Sequence, residues 1–416
     1  MSVELQNKTV AEEEKPRENE EQPISCKWCG GETHHVGSHF IGKKCSGIPK
    51  EHEGKTPNEL MKIYVAAFPE APTMSAAAAK RLKEHQAKKK EEPAAVHVGY
   101  AGFEDYMVEK VAVHEILGLD ADLLKTASGE PLRITVNINK PFPEFVPKAN
   151  PDYVFGDIEL LKDVLMMIEM RIPGYLWGHA GTGKSTLPTQ LCARLNRPII
   201  RAQHTASTEE SHICGQILVR GGATYFEPGL LASAMRNGWV YLADEYDFAF
   251  PQILGVYQPV LEGEPLIIKE ATPEWRYVEP HKRFAFIGTG NTNGSGDETG
   301  LYQGTNIQNA ANFSRFGIVS HVKYMDRSHE SAMLEKMGLP KVYATMLIDF
   351  ATRIRSGYEA GNISQPIGPR ELRNAALIGM AHKNFKKGVT KSFINKLPST
   401  SAVSATEIAQ RVFGDE

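Results

Sequence analysis

No stretch of the 416-residue chain reaches the roughly 18 consecutive apolar residues that mark a membrane-spanning helix. The first residues, MSVELQNKTVAEEEKPRENEEQ, lack the basic and apolar blocks of a secretory signal and are polar and acidic instead. An excess of one charge is also missing. Lysine plus arginine number 47 and aspartate plus glutamate 50, a formal net charge of −3, so nothing global draws the chain to nucleic acid or to a membrane. Cysteine is scarce, with five residues, three of them between positions 26 and 45, which is not the pattern of a disulfide framework. Cys192 and Cys214 read as ordinary half-buried thiols. No internal repeat is found. These absences argue against a helical membrane protein, a disulfide-stapled secreted domain and a solenoid, and they predict a cytoplasmic protein with no membrane partner. The length allows two or three domains.

What is present is a phosphate loop: Gly178, His179, Ala180, Gly181, Thr182, Gly183, Lys184 and Ser185, followed by Thr186. Glycines at 178, 181 and 183 let the backbone curl with its N–H groups turned inward. Lys184 is of the type that reaches the β- and γ-phosphates, and the Ser185 hydroxyl is placed for Mg²⁺. The context agrees. Gly174–Trp177 reads as a short entering strand, and 185–195 has helical spacing, with Pro188 in the first turn where a missing N–H is tolerated. Sixty residues on, the apolar run Val240–Ala243 ends in Asp244 and Glu245. A carboxylate at that strand end can hold Mg²⁺ through its water shell, and the next one can act as base for an attacking water. A third strand, 284–288, leads to Asn291, which either orients water and senses the γ-phosphate or simply forms a turn. The expected ligands are therefore ATP and Mg²⁺.

The pattern along the chain predicts a disordered tail at 1–23, a Cys/His module at 24–72, a charged linker at 73–96, and mixed structure at 97–170 leading to the nucleotide core. The core, 171–325, alternates apolar strands (198–201, 239–243, 284–288) with helical segments (229–237, 251–261), the mark of an α/β fold with a covered parallel sheet. A small helical domain is expected over 326–397 and a C-terminal tail over 398–416.

In the N-terminal module, Cys26, Cys29, His39 and Cys45 follow the spacing C-x2-C-x9-H-x5-C, close to that of structural Zn²⁺ sites. Glycines after Cys29 permit the tight knuckle, and His34 and His35 compete for the third position. So small a module has little apolar core, so a metal would supply much of its stability. Thr56-Pro57 should cap a helix. Lys43, Lys44 and the lysines of 80–90 could meet phosphate, although neighbouring glutamates suit a solvated linker equally well.

Four segments, GHAGTGKST, FEPGLLASAMRNGWVYLADEYD, FAFIGTGNTNGSGDETGLYQGTNIQNAANFSRFGI and SQPIGPRELRNAA, resemble in order the signatures of AAA+ ATPases of the MoxR branch, and among them the ATPase subunits of aerobic cobaltochelatases. The resemblance spans roughly 100–390. It implies a P-loop core with a helical lid, assembled as a ring, the hexamer usual in the family, in which Asn291 is a polar sensor. Arg315 would be a finger reaching the γ-phosphate of the next subunit, and Arg370 a second sensor carried by the lid. It also implies a β-hairpin at 215–228 near the pore, a mobile 294–309 loop, and a partner carrying a von Willebrand A-type domain. Two departures stand out. Gly290 replaces the alanine usual before the sensor Asn, a change of one small residue for another, and Ser314 replaces the aspartate usual before the finger. The Cys/His module is similar to MucR-like zinc modules, some of which bind DNA. The sequence thus leaves three readings: a chelatase-like motor of unassigned target, a nucleic-acid-directed ATPase, and the cobaltochelatase subunit itself.

Overall fold

The computed structural model describes residues 22–41, 44–76, 78–80 and 106–414, which form two compact units within 1–100 and 101–416. Most of the expected tail at 1–23, most of the 73–96 linker, Lys43 and the start of the 97–170 segment lie outside the described residues. Among those described, no helix is long and apolar enough to cross a membrane.

The N-terminal unit has a small core of Val36, Phe40, Leu60 and Tyr64 packed with Cys26 and Cys45. The helix Pro57–Ala67 begins as expected: the Thr56 hydroxyl accepts the Glu59 N–H, and the Glu59 carboxylate accepts the Thr56 N–H at 2.9 Å. Trp28 meets Tyr64 edge-on at 5.2 Å.

The second unit is built on five strands: β1 (Gly174–Trp177), β2 (Ile199–Gln203), β3 (Val240–Asp244), β4 (Ala285–Gly290) and β5 (Ile318–His321). All pair in parallel, in the order β5-β1-β4-β3-β2. Strand alternation explains why these runs are apolar throughout. Tyr175, Tyr241 and Phe286 face one core, with Trp239 and Tyr257, while Leu176, Val240, Leu242 and Ile287 face the other, with Leu161 and Leu191. Helices α1 (Ile158–Glu169), α2 (Thr186–Arg194) and α3 (Leu230–Asn237) belong to these layers. The proline-rich stretch after 140 is anchored by Phe145 stacked on Trp239 at 4.2 Å and by the Asn150 N–H on Gln190 Oε1 at 2.7 Å. This carries 150–158 to the sheet's C-terminal edge, where ligands bind in such folds.

The segment expected as one helix over 251–261 is broken: helices Pro251–Leu254 and Gln258–Leu261 flank a tighter 3-10 turn. Prolines at 251 and 259 each start a helix rather than continue one. The hairpin Gly215–Arg220 and Ala223–Pro228 turns on Gly221 and Gly222, with φ of +59° and +80°, as a two-residue turn of this hand requires.

Helix α4 (Ala310–Phe313) packs on the sheet core through Phe313, and beyond it a helical region comprises α5 (Arg327–Lys336), α6 (Lys341–Glu359), α7 (Pro369–His382), α8 (Phe385–Ser392) and α9 (Ser399–Phe413) around a core including Leu347, Phe350, Leu372 and Phe393. Residues 398–416, read above as a tail, contain α9, which buries Ala405, Ala409 and Phe413 in that core. Small residues at four-residue spacing carry little hydrophobic signal, which hid the helix from the pattern.

Candidate functional site

The phosphate loop joins β1 to α2 as its sequence demands. Gly178, Gly181 and Gly183 have φ of +148°, +81° and +98°, and a Cβ at Gly178 would lie 2.3 Å from the Val322 carbonyl oxygen. The Lys184 ammonium donates to the carbonyls of Gly178 (2.7 Å) and His179 (2.9 Å) and to Asn291 Oδ1 (3.1 Å). Thr182 Oγ1 also donates to the His179 carbonyl, at 2.8 Å. Burial lowers the Lys184 pKa to about 8.

Strand order places β4 between β1 and β3, so Asn291 stands between the loop and Asp244. The Ser185 and Thr289 hydroxyls both donate to Asp244 Oδ1, and Arg201 Nε donates to Oδ2 at 2.6 Å. Burial alone would raise the Asp244 pKa, but these donors outweigh it and hold the carboxyl below its ordinary value. A hydroxyl and a carboxylate already in contact are the hard oxygen donors that Mg²⁺ takes. Glu245 sits in the left-handed region (φ +53°) at the turn after β3, with Oε2 accepting Gln203 Nε2 at 2.8 Å. Asp247, fully buried, accepts the N–H groups of Asn291 (2.8 Å) and Thr292 (2.9 Å), which fixes the backbone there.

A cavity of about 730 Å³ spans the loop (Ala180 to Thr186), Asp244, Glu245 and Asn291 on one side and Arg370 and Arg373 of α7 on the other. Tyr153 to Gly156, Val322 to Met325, Met333 and Met337 line it as well. Its size and its apolar end beside the polar loop suit a nucleoside triphosphate. Arg370 therefore lies in the cavity with the loop. Arg315 does not: it is absent from the lining, and its Nε donates to Glu262 Oε1 at 2.8 Å.

Several residues here escaped the sequence reading. Arg201 and Gln203 alternate on β2 and so face the two carboxylates together; a pair of polar residues closing an apolar strand was the available signal. The 294–309 stretch is also more tied down than its glycines suggest. Asp297 accepts the Thr299 N–H (2.9 Å) and the Tyr302 N–H (2.7 Å), and the Tyr302 hydroxyl accepts the Ala180 N–H at 3.1 Å.

The match with known proteins follows this geometry. Residues 175–305 match the family model described as AAA domain (dynein-related subfamily). The chain is 30% identical over 322 residues to the aerobic cobaltochelatase subunit CobS of Sinorhizobium sp, covering 74% of this chain and 91% of that protein. The chain is an AAA+ ATPase of the MoxR type. It is also 22% identical to protein NorQ of Paracoccus denitrificans (58% of this chain, 87% of that protein) and 24% identical to the gas vesicle ATPase GvpN of Ancylobacter aquaticus (49% and 61%). It is thereby an ATP-hydrolysing enzyme.

This ATPase adds a metal-binding cluster. Ligand atoms of Cys26, Cys29, His39 and Cys45 all lie within 4.8 Å of one another, with Cys29 Sγ 3.1 Å from His39 Nε2 and Cys26 Sγ 3.9 Å from Cys45 Sγ. The two rival histidines are engaged elsewhere, His34 on Ser75 Oγ at 3.1 Å and His35 accepting the Ser38 N–H. The knuckle needs its glycines: Gly30 has φ of +72°, and a Cβ on Gly47 would sit 2.1 Å from the Trp28 carbonyl oxygen. Burial pushes the Cys45 thiol up to about 12, so a cation is what would keep it as thiolate.

Proposed function

We propose that this ATPase works as a closed ring, a hexamer by family resemblance, in which ATP hydrolysis remodels or drives a partner complex in the manner of a chelatase motor. The position of Arg315 carries the reading. The cavity collects Lys184, Asp244, Glu245, Asn291 and Arg370 from one chain, while Arg315 rests on Glu262 outside it, as a cation meant for a neighbour's phosphate would. In this reading Lys184 grips the phosphates, Ser185 and Asp244 hold Mg²⁺, Glu245 takes a proton from the attacking water, and Asn291 and Arg370 sense the γ-phosphate. Gln203 holds the Glu245 carboxylate off line until substrate arrives. The Cys3His cluster binds Zn²⁺ and stabilises a module that docks a protein partner, one with a von Willebrand A-type domain by the same resemblance.

Mixing decides it. Arg315→Ala alone should lose hydrolysis while binding ATP, and rings mixed with Glu245→Gln chains should regain part of it, because intact fingers then face intact bases. No recovery at any ratio would defeat action in trans. Proteins captured by the Glu245→Gln trap identify the load. DNA-stimulated turnover lost with Cys26→Ser would instead favour the nucleic-acid reading.

A further inference from the structure

The second residue of the phosphate loop, His179, belongs to two environments at once. Its carbonyl faces the phosphate site, where it accepts Lys184 Nζ at 2.9 Å. Its imidazole points the other way, among three tyrosines from three segments. Nδ1 lies 2.9 Å from the hydroxyl of Tyr302 in the 294–309 loop. The ring is parallel to Tyr324 (centroids 5.9 Å apart, planes 5° apart), in the connector from β5 to the lid. It meets Tyr358 of α6 edge-on at 5.5 Å. Burial, with Lys184 nearby, holds the imidazole below its ordinary pKa, so at neutral pH it offers ring contacts and a hydrogen bond rather than charge.

The contacts continue into the lid. The Arg355 guanidinium lies 4.0 Å from the Tyr324 ring centroid. That guanidinium is fixed by two bonds to the fully buried Glu330 carboxylate (2.9 and 2.7 Å) and by Nε on the Ile367 carbonyl at 3.0 Å. Ile367 stands three residues before Arg370, whose Cβ lies near the loop at Gly181. An unbroken series of contacts therefore runs from the His179 ring through Tyr324 and Arg355 to the start of α7.

Filling the site must disturb one end of this series. An ammonium that turns to phosphate oxygens cannot keep both loop carbonyls, so the His179 backbone changes partner when nucleotide binds. A small side chain at 179 would pass none of this on. We propose that His179 is a positioning residue that makes the setting of the lid, and of Arg370 with it, depend on whether the phosphate loop is filled. The coupling acts through ring contact with Tyr324, and Tyr302 holds the imidazole in the plane that contact needs.

The test uses the full chain with Mg²⁺ and ADP as probe, reading ADP affinity and backbone hydrogen exchange over 363–373 in the wild type, His179→Ala, Tyr324→Leu and the double variant. Wild type should exchange more slowly over 363–373 once ADP is bound. His179→Ala should bind ADP only about two- to tenfold more weakly, the range of one aromatic contact set, yet lose most of that protection. The double variant should be no worse than either single one, as for two members of one series. His179→Phe, which keeps the ring but not the bond to Tyr302, should restore part of the protection. Full ADP-dependent protection in His179→Ala, additive losses in the double variant, or no response of 363–373 in the wild type would each overturn the proposal. If His179→Ala does not fold, His179→Gln, polar but without a ring, is read against the same outcomes.

Discussion

Gly290→Ala is a one-methyl change, one small residue for another, and the family resemblance makes it look harmless, since alanine is usual at this place. The structure predicts otherwise. A Cβ there would lie 1.8 Å from the Tyr175 hydroxyl oxygen and 2.8 Å from Asp247 Cγ. Tyr175 cannot retreat: it is fully buried, its hydroxyl donates to the Thr292 carbonyl at 3.0 Å, and Phe313 and Phe316 pack on it at 5.1 and 5.3 Å. Overpacking of this kind costs about 1–3 kcal/mol. Losing the hydroxyl's bond adds about 1 kcal/mol. The sum, about 2–4 kcal/mol, is a large share of the roughly 5–15 kcal/mol that holds a typical domain folded. Chemical denaturation should show it as a lower midpoint with an unchanged slope. Displacing Asp247 also frees the Asn291 N–H, so turnover should fall about tenfold while nucleotide affinity changes little. Tyr175→Phe removes the closest contact, and in that background Gly290→Ala should cost at least about 1 kcal/mol less. Wild-type stability in Gly290→Ala, or equal costs in both backgrounds, would refute the argument.

Lys184, lowered to about 8 from an ordinary 10.5, gives a pH signature. Below pH 8 both folded and unfolded chains hold the proton and the burial cost is fully present; from about 8 to 10.5 the unfolded chain holds more, so the empty protein gains stability as pH rises. Nucleotide affinity should run the other way, about tenfold weaker at pH 9 than at pH 7, with proton uptake visible by calorimetry in two buffers; a flat profile counts against a buried Lys184. Cys26→Ser or Cys29→Ser should abolish binding of about one Zn²⁺ per chain, measured by metal analysis, and retained stoichiometric zinc would remove the cluster from its role. Arg355→Leu leaves Glu330 buried and unpaired and should lower stability by about 3–5 kcal/mol, whereas the double change Glu330→Leu/Arg355→Leu should recover most of it, both read from denaturation midpoints.

Residues whose chemistry is local to the chain were legible in advance. The phosphate loop, Asp244-Glu245 and the cysteine knuckle each concentrate their meaning in a few adjacent positions, and the parallel sheet followed from runs that are apolar on both faces. What stayed hidden depends on strands meeting across the fold. Arg201 reaches Asp244, and Tyr175 forbids a methyl at Gly290, only because the order β5-β1-β4-β3-β2 makes them neighbours. The tyrosines around His179 lie 123, 145 and 179 residues further on. No periodicity links such positions. Helix α9 was missed for another reason, since alanines pack well but announce nothing.

The short helix α4 leads directly to Arg315, and its Asn312 amide donates to the Tyr246 hydroxyl at 2.8 Å, next to Glu245. The same stretch is tied down again where the Asn306 N–H donates to the Asp247 carbonyl at 2.7 Å. Glu245 and Arg315 thus share one stiff bracket. In the ring proposed above, a bracket of this kind would give direction to the cycle: a shift at one chain's Glu245 would turn the Arg315 offered to the next. Hydrolysis would then travel from chain to chain in one rotational sense, and a single immobile Glu245 would stall the site downstream of it before the one upstream.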